Sequence, residues 1–178
     1  MTSAETRTAY IGLGSNLQSQ AGTPAETVEA GLRALGEIGN VTARSSLYET
    51  APVGIAEQPP FVNAVAALRT FDPPDELLET LLEIERTFGR DRRKSMPKGP
   101  RTLDLDLLVM DGLILSTPAL SLPHPALAER RFVLAPLAEI APDLRHPVLH
   151  ATMRELLAAL PDVGANSIKS VRILHPHS

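Results

Sequence analysis

Phe61-Val62-Asn63-Ala64-Val65-Ala66-Ala67-Leu68-Arg69, then Asp72-Pro73-Pro74-Asp75, then Leu77, Leu81, Ile84 and Phe88 at spacings of 4, 3 and 4, reads in one pass as a strand, a break and a helix with one apolar face. Gly89 ends that helix. Upstream, the proline-rich loop Glu49 to Pro60 separates this strand from an earlier one, Val41 to Tyr48. Before that, Thr23-Pro24-Ala25-Glu26 is a capping box with proline at the first helical position, opening a helix that runs to about Ile38. Thr8 to Leu13 reads as the first strand. Downstream, Thr102 to Met110 is a fourth, and Asp111-Gly112 predicts a hairpin turn into Leu113 to Leu115.

The order is strand, helix, strand, strand, helix, strand. That is the ferredoxin-like βαββαβ unit of an α+β fold, an antiparallel sheet with two helices on one face. The residues after Leu115 add a loop from Ser116 to Glu129, helices from Arg131 to Ile140 and from about Thr152 to Leu160, and a tail strand from Ser170 to Leu174. No internal repeat, low-complexity run or long linker divides the chain, so residues 1–178 are expected to form a single domain.

With 178 residues, 43% of them hydrophobic, the chain is long enough for a proper core. The polar start, Met1 to Thr8, has no apolar stretch of the kind a secretory signal needs, and no segment is apolar enough to span a membrane. A cytoplasmic monomer is the expectation. The absence of cysteine excludes disulfides, thiolate metal sites and thiol nucleophiles together. A net charge of -4, with two Tyr, four Phe and no Trp, argues against nucleic acid as a partner, since both a basic surface and stacking platforms are short.

The positive charge is instead local. Arg90 to Arg101 contains six basic residues and one Asp, immediately before Leu103-Asp104-Leu105-Asp106-Leu107. In a strand Asp104 and Asp106 leave the same face with Cα atoms about 7 Å apart. Two such carboxylates can share one or two Mg²⁺ ions, and arginines can hold the phosphate oxygens the metal leaves free. Singly, each half has a plainer explanation: a charge run is usually a solvated loop, and Leu-Asp alternation is the pattern of a half-exposed sheet. Their adjacency points to a metal-bound polyphosphate, because like-charged carboxylates are best tolerated where cations neutralise them. The basic stretch, with its repelling charges and prolines, is expected to act as a lid that phosphate orders.

Other candidates are weaker alone. Gly12-Leu13-Gly14 lacks the third glycine of a dinucleotide fingerprint and is expected to be a tight strand-end turn. Phe61 and Asn63 project on one strand face, which fits a core aromatic with a satisfied amide or a heterocycle pocket, ring stacked and edge hydrogen-bonded. His124 is held between Pro123 and Pro125, with Arg130 and Phe132 shortly after. Glu85 is either an exposed helix residue or a carboxylate for a ribose hydroxyl or an arginine. His175 and His177 belong to the tail.

Together these segments resemble a known family. Tyr10-Ile11-Gly12-Leu13-Gly14-Ser15-Asn16-Leu17, Ser46-Leu47-Tyr48-Glu49-Thr50, Gln58-Pro59-Pro60-Phe61-Val62-Asn63-Ala64, Gly99-Pro100-Arg101-Thr102-Leu103-Asp104-Leu105-Asp106, Pro123-His124 and Arg130-Arg131-Phe132 are similar, in order, to the motifs of the 6-hydroxymethyl-7,8-dihydropterin pyrophosphokinases. The resemblance runs from about Thr8 to Leu144 and implies an ATP-dependent diphosphotransferase of folate biosynthesis. Such an enzyme moves the β,γ-diphosphate of ATP to the pterin's hydroxymethyl oxygen and releases AMP.

It also implies roles. Asp104 and Asp106 look like the ligands of two Mg²⁺ ions, and Arg90, Arg92 and Arg101 like phosphate-contacting arginines of the catalytic set. Glu85, His124 and Arg130 resemble residues on the ATP side. On the pterin side, Asn63 would read the ring's edge, Phe61 and Phe132 would sandwich it, and backbone groups of Thr50, Ala51 and Val53 would complete its hydrogen bonds. Lys98 stands where some members have Trp, Pro125 where some have Tyr, and the basic loop is one residue longer. No residue stands out as general base. The rival from a different class is a non-catalytic ferredoxin-like domain that senses a nucleotide; it accounts for the fold and the basic loop, but not for a carboxylate pair beside a separate Phe-Asn-Phe pocket.

Overall fold

The structure, a computed structural model, describes residues 5–50, 58–89 and 102–174. β1 (Arg7–Ser15) turns Ala9, Ile11 and Leu13 into the core. α1 (Pro24–Ile38) starts at the expected box: Glu26 N–H donates to the Thr23 hydroxyl at 3.2 Å and Thr23 N–H to the Glu26 carboxylate at 3.3 Å. Its Val28, Leu32 and Leu35, spaced for one helical face, are buried against the sheet.

The strand expected over Val41 to Tyr48 is two strands, β2 (Asn40–Arg44) and β3 (Tyr48–Thr50), both antiparallel to β4 (Phe61–Thr70). Ser45 makes the break. Its N–H donates to Val65 O at 2.8 Å, while its hydroxyl takes the Val65 N–H at 2.9 Å, so a side chain replaces the carbonyl a continuing ladder would supply. α2 (Pro74–Thr87) starts after Pro73, with no side-chain cap from Asp72 or any other residue.

β5 (Asp104–Met110) begins two residues later than Thr102. Asp111 does turn the chain, at φ 48°, but the following segment does not return along β5 as the predicted hairpin would. Asp111 is tied to β1 instead, donating its N–H to Thr8 O at 3.0 Å and accepting Thr8 N–H on its carboxylate at 3.1 Å. The hairpin forms further on, between β6 (Leu115–Ser116) and β7 (Ser121–Leu122). α3 (Arg131–Ile140) and α4 (Met153–Ala159) follow, the latter with its own capping box from Thr152 and Glu155. β8 (Val171–Ile173) pairs with β3.

The strand order β5-β1-β4-β3-β8, with β2 also on β4, is antiparallel throughout and gives the ferredoxin-like arrangement. One face carries α1 and α2 over a core that includes Ile11, Leu13, Leu68, Leu77, Leu81 and Leu105. The C-terminal additions cover part of the opposite face, where Leu134, Leu137 and Met153 meet Val65, Leu108 and Val109. A bulge in β5 allows this: Ile11 pairs with Leu107 and Tyr10 with Val109, so Leu108 is an extra residue and both Leu108 and Val109 reach the α3 side while Met110 returns to the first core.

Candidate active site

Strand parity assembles the site. Gly12 and Gly14 of β1, Phe61 and Asn63 of β4, and Asp104 and Asp106 of β5 all belong to the face that α1 and α2 leave uncovered. They line a cleft closed on its far side by Arg130 and Phe132 at the start of α3. The sequence-predicted carboxylate pair, amide and two aromatics are thus in one place. The Arg130 guanidinium lies over the Phe132 ring, 5.6 Å from its centroid, within cation–π range.

Asn63 is held by its neighbours. Its Nδ2 donates to the Thr50 hydroxyl at 2.6 Å, and both residues are buried. Gly12-Leu13-Gly14 is not the expected turn; it lies inside β1, paired on both sides. The reason for glycine is close approach, since a Cβ on Gly14 would stand 2.7 Å from Asn63 Oδ1. The end of β1 is fastened to the approach to β4 by a buried amide, Asn16 Nδ2 donating to Gln58 Oε1 at 2.9 Å and Pro59 O at 3.0 Å.

Asp104 is buried and Asp106 half-buried, with fully buried Leu105 between them. Glu85 is not the exposed helix residue of the plainer expectation: only 1% accessible, it follows Leu77 and Leu81 at helical spacing, and its Oε2 accepts the Leu105 N–H at 2.7 Å. It therefore acts on the backbone between the two aspartates and does not line the cleft. His124 is tied to β5, near Asp104 and Arg130. Its N–H donates to Leu108 O at 2.7 Å and its Nδ1 accepts Ala126 N–H at 3.1 Å. Burial pushes the imidazole's pKa down and nearby Arg130 pushes it further, with Asp104 acting the other way.

Thr50 is the described member of the predicted pterin-edge backbone; Ala51 and Val53 lie outside the described residues. So do Arg90, Arg92 and Arg101, the whole expected lid with Lys98, and the tail histidines. No local pattern signals the tether at the other end of α3, where Glu139 accepts the Tyr48 hydroxyl and, at 2.8 Å each, the N–H and hydroxyl of Ser46. That contact joins residues 91 positions apart, beyond any periodicity. It raises the Tyr48 pKa, through burial first and then the carboxylate.

Among the described residues no three His, Cys, Asp or Glu side chains gather as a metal cage. A carboxylate pair suits Mg²⁺ nonetheless, because that ion keeps waters and usually takes one or two carboxylates together with substrate phosphates.

Fold and cleft together define a ferredoxin-like α+β domain with a small-molecule site on its open sheet face. Within that class, residues 10–142 match the model of 7,8-dihydro-6-hydroxymethylpterin-pyrophosphokinase (HPPK), and the chain belongs to this family. It is 45% identical over 157 residues to the 2-amino-4-hydroxy-6-hydroxymethyldihydropteridine pyrophosphokinase of Pseudomonas aeruginosa, covering 87% of this chain and 93% of that one. To the protein of the same name from Methylorubrum extorquens it is 44% identical over 161 residues, 90% and 98% of the two chains. The folic acid synthesis protein of Schizosaccharomyces pombe is 37% identical across 91% of this chain, which spans only 22% of that longer protein. A crystal structure of wild-type Plasmodium falciparum HPPK-DHPS with pteroate superposes at a TM-score of 0.66 and 17% identity, covering 85% of this chain and 42% of that one, and supports the fold.

Proposed function

We propose that the chain transfers the diphosphate of ATP to the hydroxymethyl group of 6-hydroxymethyl-7,8-dihydropterin and releases AMP, a step of folate biosynthesis. Membership of the pyrophosphokinase family and the two bacterial relatives, covered nearly end to end, support this. The observation that carries it is the convergence of Asp104 and Asp106 with Phe61, Asn63 and Phe132 on one cleft.

Phe61 and Phe132 offer ring faces for a flat heterocycle, and Asn63, oriented by Thr50, offers its edge an amide. Buried on one side and hydrogen-bonded on the other, the pterin is held with its hydroxymethyl group toward the carboxylates, which is the positioning that diphosphoryl transfer chiefly requires. Arg130, with the expected Arg90, Arg92 and Arg101, supplies positive charge for the nucleotide's phosphates, and Glu85 and His124 shape the nucleotide side from behind. Asp104 and Asp106 would hold Mg²⁺, two ions by the family resemblance, which when bound neutralises phosphate charge. No helix among the described residues is long and apolar enough to cross a membrane. We take the protein to be a single-domain cytoplasmic monomer, which size-exclusion chromatography checks for oligomeric state.

The test is AMP release from MgATP with and without hydroxymethyldihydropterin. Release that depends on the pterin is expected. ATP binding with no pterin-dependent AMP would favour the nucleotide-sensing domain instead.

A further inference from the structure

The family match ends at residue 142, yet the chain continues through α4 into a segment, residues 161–174, that touches both walls of the cleft. At the first contact, Asn166 straddles the start of α3. Its Oδ1 accepts the N–H of Arg131, the first helical residue, at 3.0 Å, and its Nδ2 donates to Glu129 O at 2.8 Å. Arg131 answers with its side chain, Nε donating to Asn166 O at 2.6 Å and a terminal nitrogen to Leu160 O at 3.4 Å. The residue in between is Arg130, an extended N-cap at φ -125° and ψ 112° that provides no side-chain cap of its own. A helix start leaves its first N–H groups unpaired unless something caps them. Asn166 does so from 35 positions away, and it fixes the peptide groups on both sides of Arg130.

The second contact is β8 on β3. Val171 pairs with Thr50, Arg172 reaches Glu49 at 2.6 Å, and Leu174 N–H donates to Leu47 O at 2.8 Å. Thr50 is the residue that holds the Asn63 amide. Between the two contacts the segment is tied to itself, Ile168 N–H donating to the Asp162 carboxylate at 2.8 Å and the Ser170 hydroxyl to Gly164 O at 3.2 Å. It is a short brace with one end on the Arg130–Phe132 wall and the other on the Thr50–Asn63 wall.

We infer that Asn166 is a positioning residue for the transfer: by fixing the backbone around Arg130 it sets the aim of the Arg130 guanidinium and the Phe132 ring across the cleft. This rests on the pyrophosphokinase function proposed above. The core contacts of α3 through Leu134 and Leu137 do not involve Asn166, so the helix persists without it while its first turn loosens.

The experiment combines amide hydrogen exchange with steady-state kinetics on full-length Asn166→Ala. Exchange of residues 130–133 is expected to quicken about fivefold, the factor that losing an N-cap typically costs. KM for the pterin and for ATP should rise severalfold at nearly unchanged melting temperature. A residue that merely stabilised the fold would lower the melting temperature and the active fraction, leaving both KM values alone. Should Asn166→Ala fail to fold, Asn166→Asp, which keeps the acceptor for Arg131 but loses the donor to Glu129 O, is read by kinetics alone, a severalfold rise in both KM values being expected and unchanged KM values overturning the inference. Unchanged exchange at residues 130–133, or faster exchange with unchanged KM, overturns the inference. Absence of pterin-dependent AMP release from the unsubstituted protein would instead sink the proposed function, and the exchange result would still say whether Asn166 caps the helix.

Discussion

Gly14 carries more information than its size suggests. Its hydrogen stands where any side chain would strike Asn63, at 2.7 Å from Oδ1, a separation real Cβ atoms essentially never show. Gly14→Ala should therefore push the Asn63 amide off the Thr50 hydroxyl and weaken pterin binding far more than ATP binding. Asn63→Ala should do the same more directly, costing roughly 1–3 kcal/mol for the unpaired heterocycle edge. Calorimetry with each ligand separately reads both variants, and equal losses for the two ligands would make Asn63 a structural residue. Asp104→Asn and Asp106→Asn keep the volume and remove the charge. Each is expected to lower turnover at least ~10²-fold, by analogy with other sites that lose a charge-stabilising group, with circular dichroism unchanged. Near-normal turnover in either would remove that carboxylate from the metal assignment. The residue identities at this scale were visible in the sequence because the Leu-Asp-Leu-Asp alternation and the Phe-x-Asn spacing are strand patterns. Glu85 was singled out there as well, but its hold on the Leu105 N–H was not, since helical periodicity marks a buried face but cannot say that a carboxylate on it has a backbone partner.

At the scale of elements, α1 was predictable because a capping box is written in four consecutive residues, Thr23 to Glu26, and the structure shows a second such box, Thr152 to Glu155, at the start of α4. The split between β2 and β3 was hidden, because Ser45 ends the ladder through Val65, a residue 20 positions away. The predicted hairpin at Asp111 failed for a related reason, its hydrogen bonds being spent on Thr8. β5 sits at the end of the sheet, and the Glu85 carboxylate takes up the Leu105 N–H there. Glu85→Leu would leave that buried N–H without its acceptor, at a cost of about 1–3 kcal/mol. Turnover should fall as well, since the slackened peptide joins Asp104 to Leu105, the residue between the two aspartates. Glu85→Gln, which retains a carbonyl acceptor, should recover much of the stability in urea unfolding. Equal stability of the Leu and Gln variants would show that this hydrogen bond contributes nothing.

Across the whole molecule, stability should depend on pH through buried imidazoles before it depends on carboxylates. His146 is 6% accessible, and its Nδ1 accepts the N–H groups of Val148 at 3.2 Å and Leu149 at 3.0 Å. Burial, then His150, hold its pKa below the ordinary 6.5, and His124 is shifted in the same direction. As pH falls below 6.5 the unfolded chain binds protons that the folded chain refuses, so stability declines from there until the lowered folded pKa is passed. Glu29, lowered first by its Arg44 hydrogen bond, and Glu139, whose Tyr48 and Ser46 bonds outweigh its burial, begin to act only below 4.5. Urea midpoints measured from pH 8 to 5 should bend downward near 6.5, and His146→Gln should flatten part of that slope while lowering the midpoint at pH 8. A wild-type profile level from pH 7 to 5 would count against the imidazoles. The same view of the molecule gives the bulge in β5 a further meaning. Leu108 is the surplus residue of that strand, and its carbonyl is what His124 hangs on. Excising Leu108 would hand the sheet a plain alternating strand, with both aspartates still in phase, and would remove the carbonyl that takes the His124 N–H. In this chain an irregularity of pairing serves as a peg for a distant loop, so a tidier sheet would be a poorer enzyme.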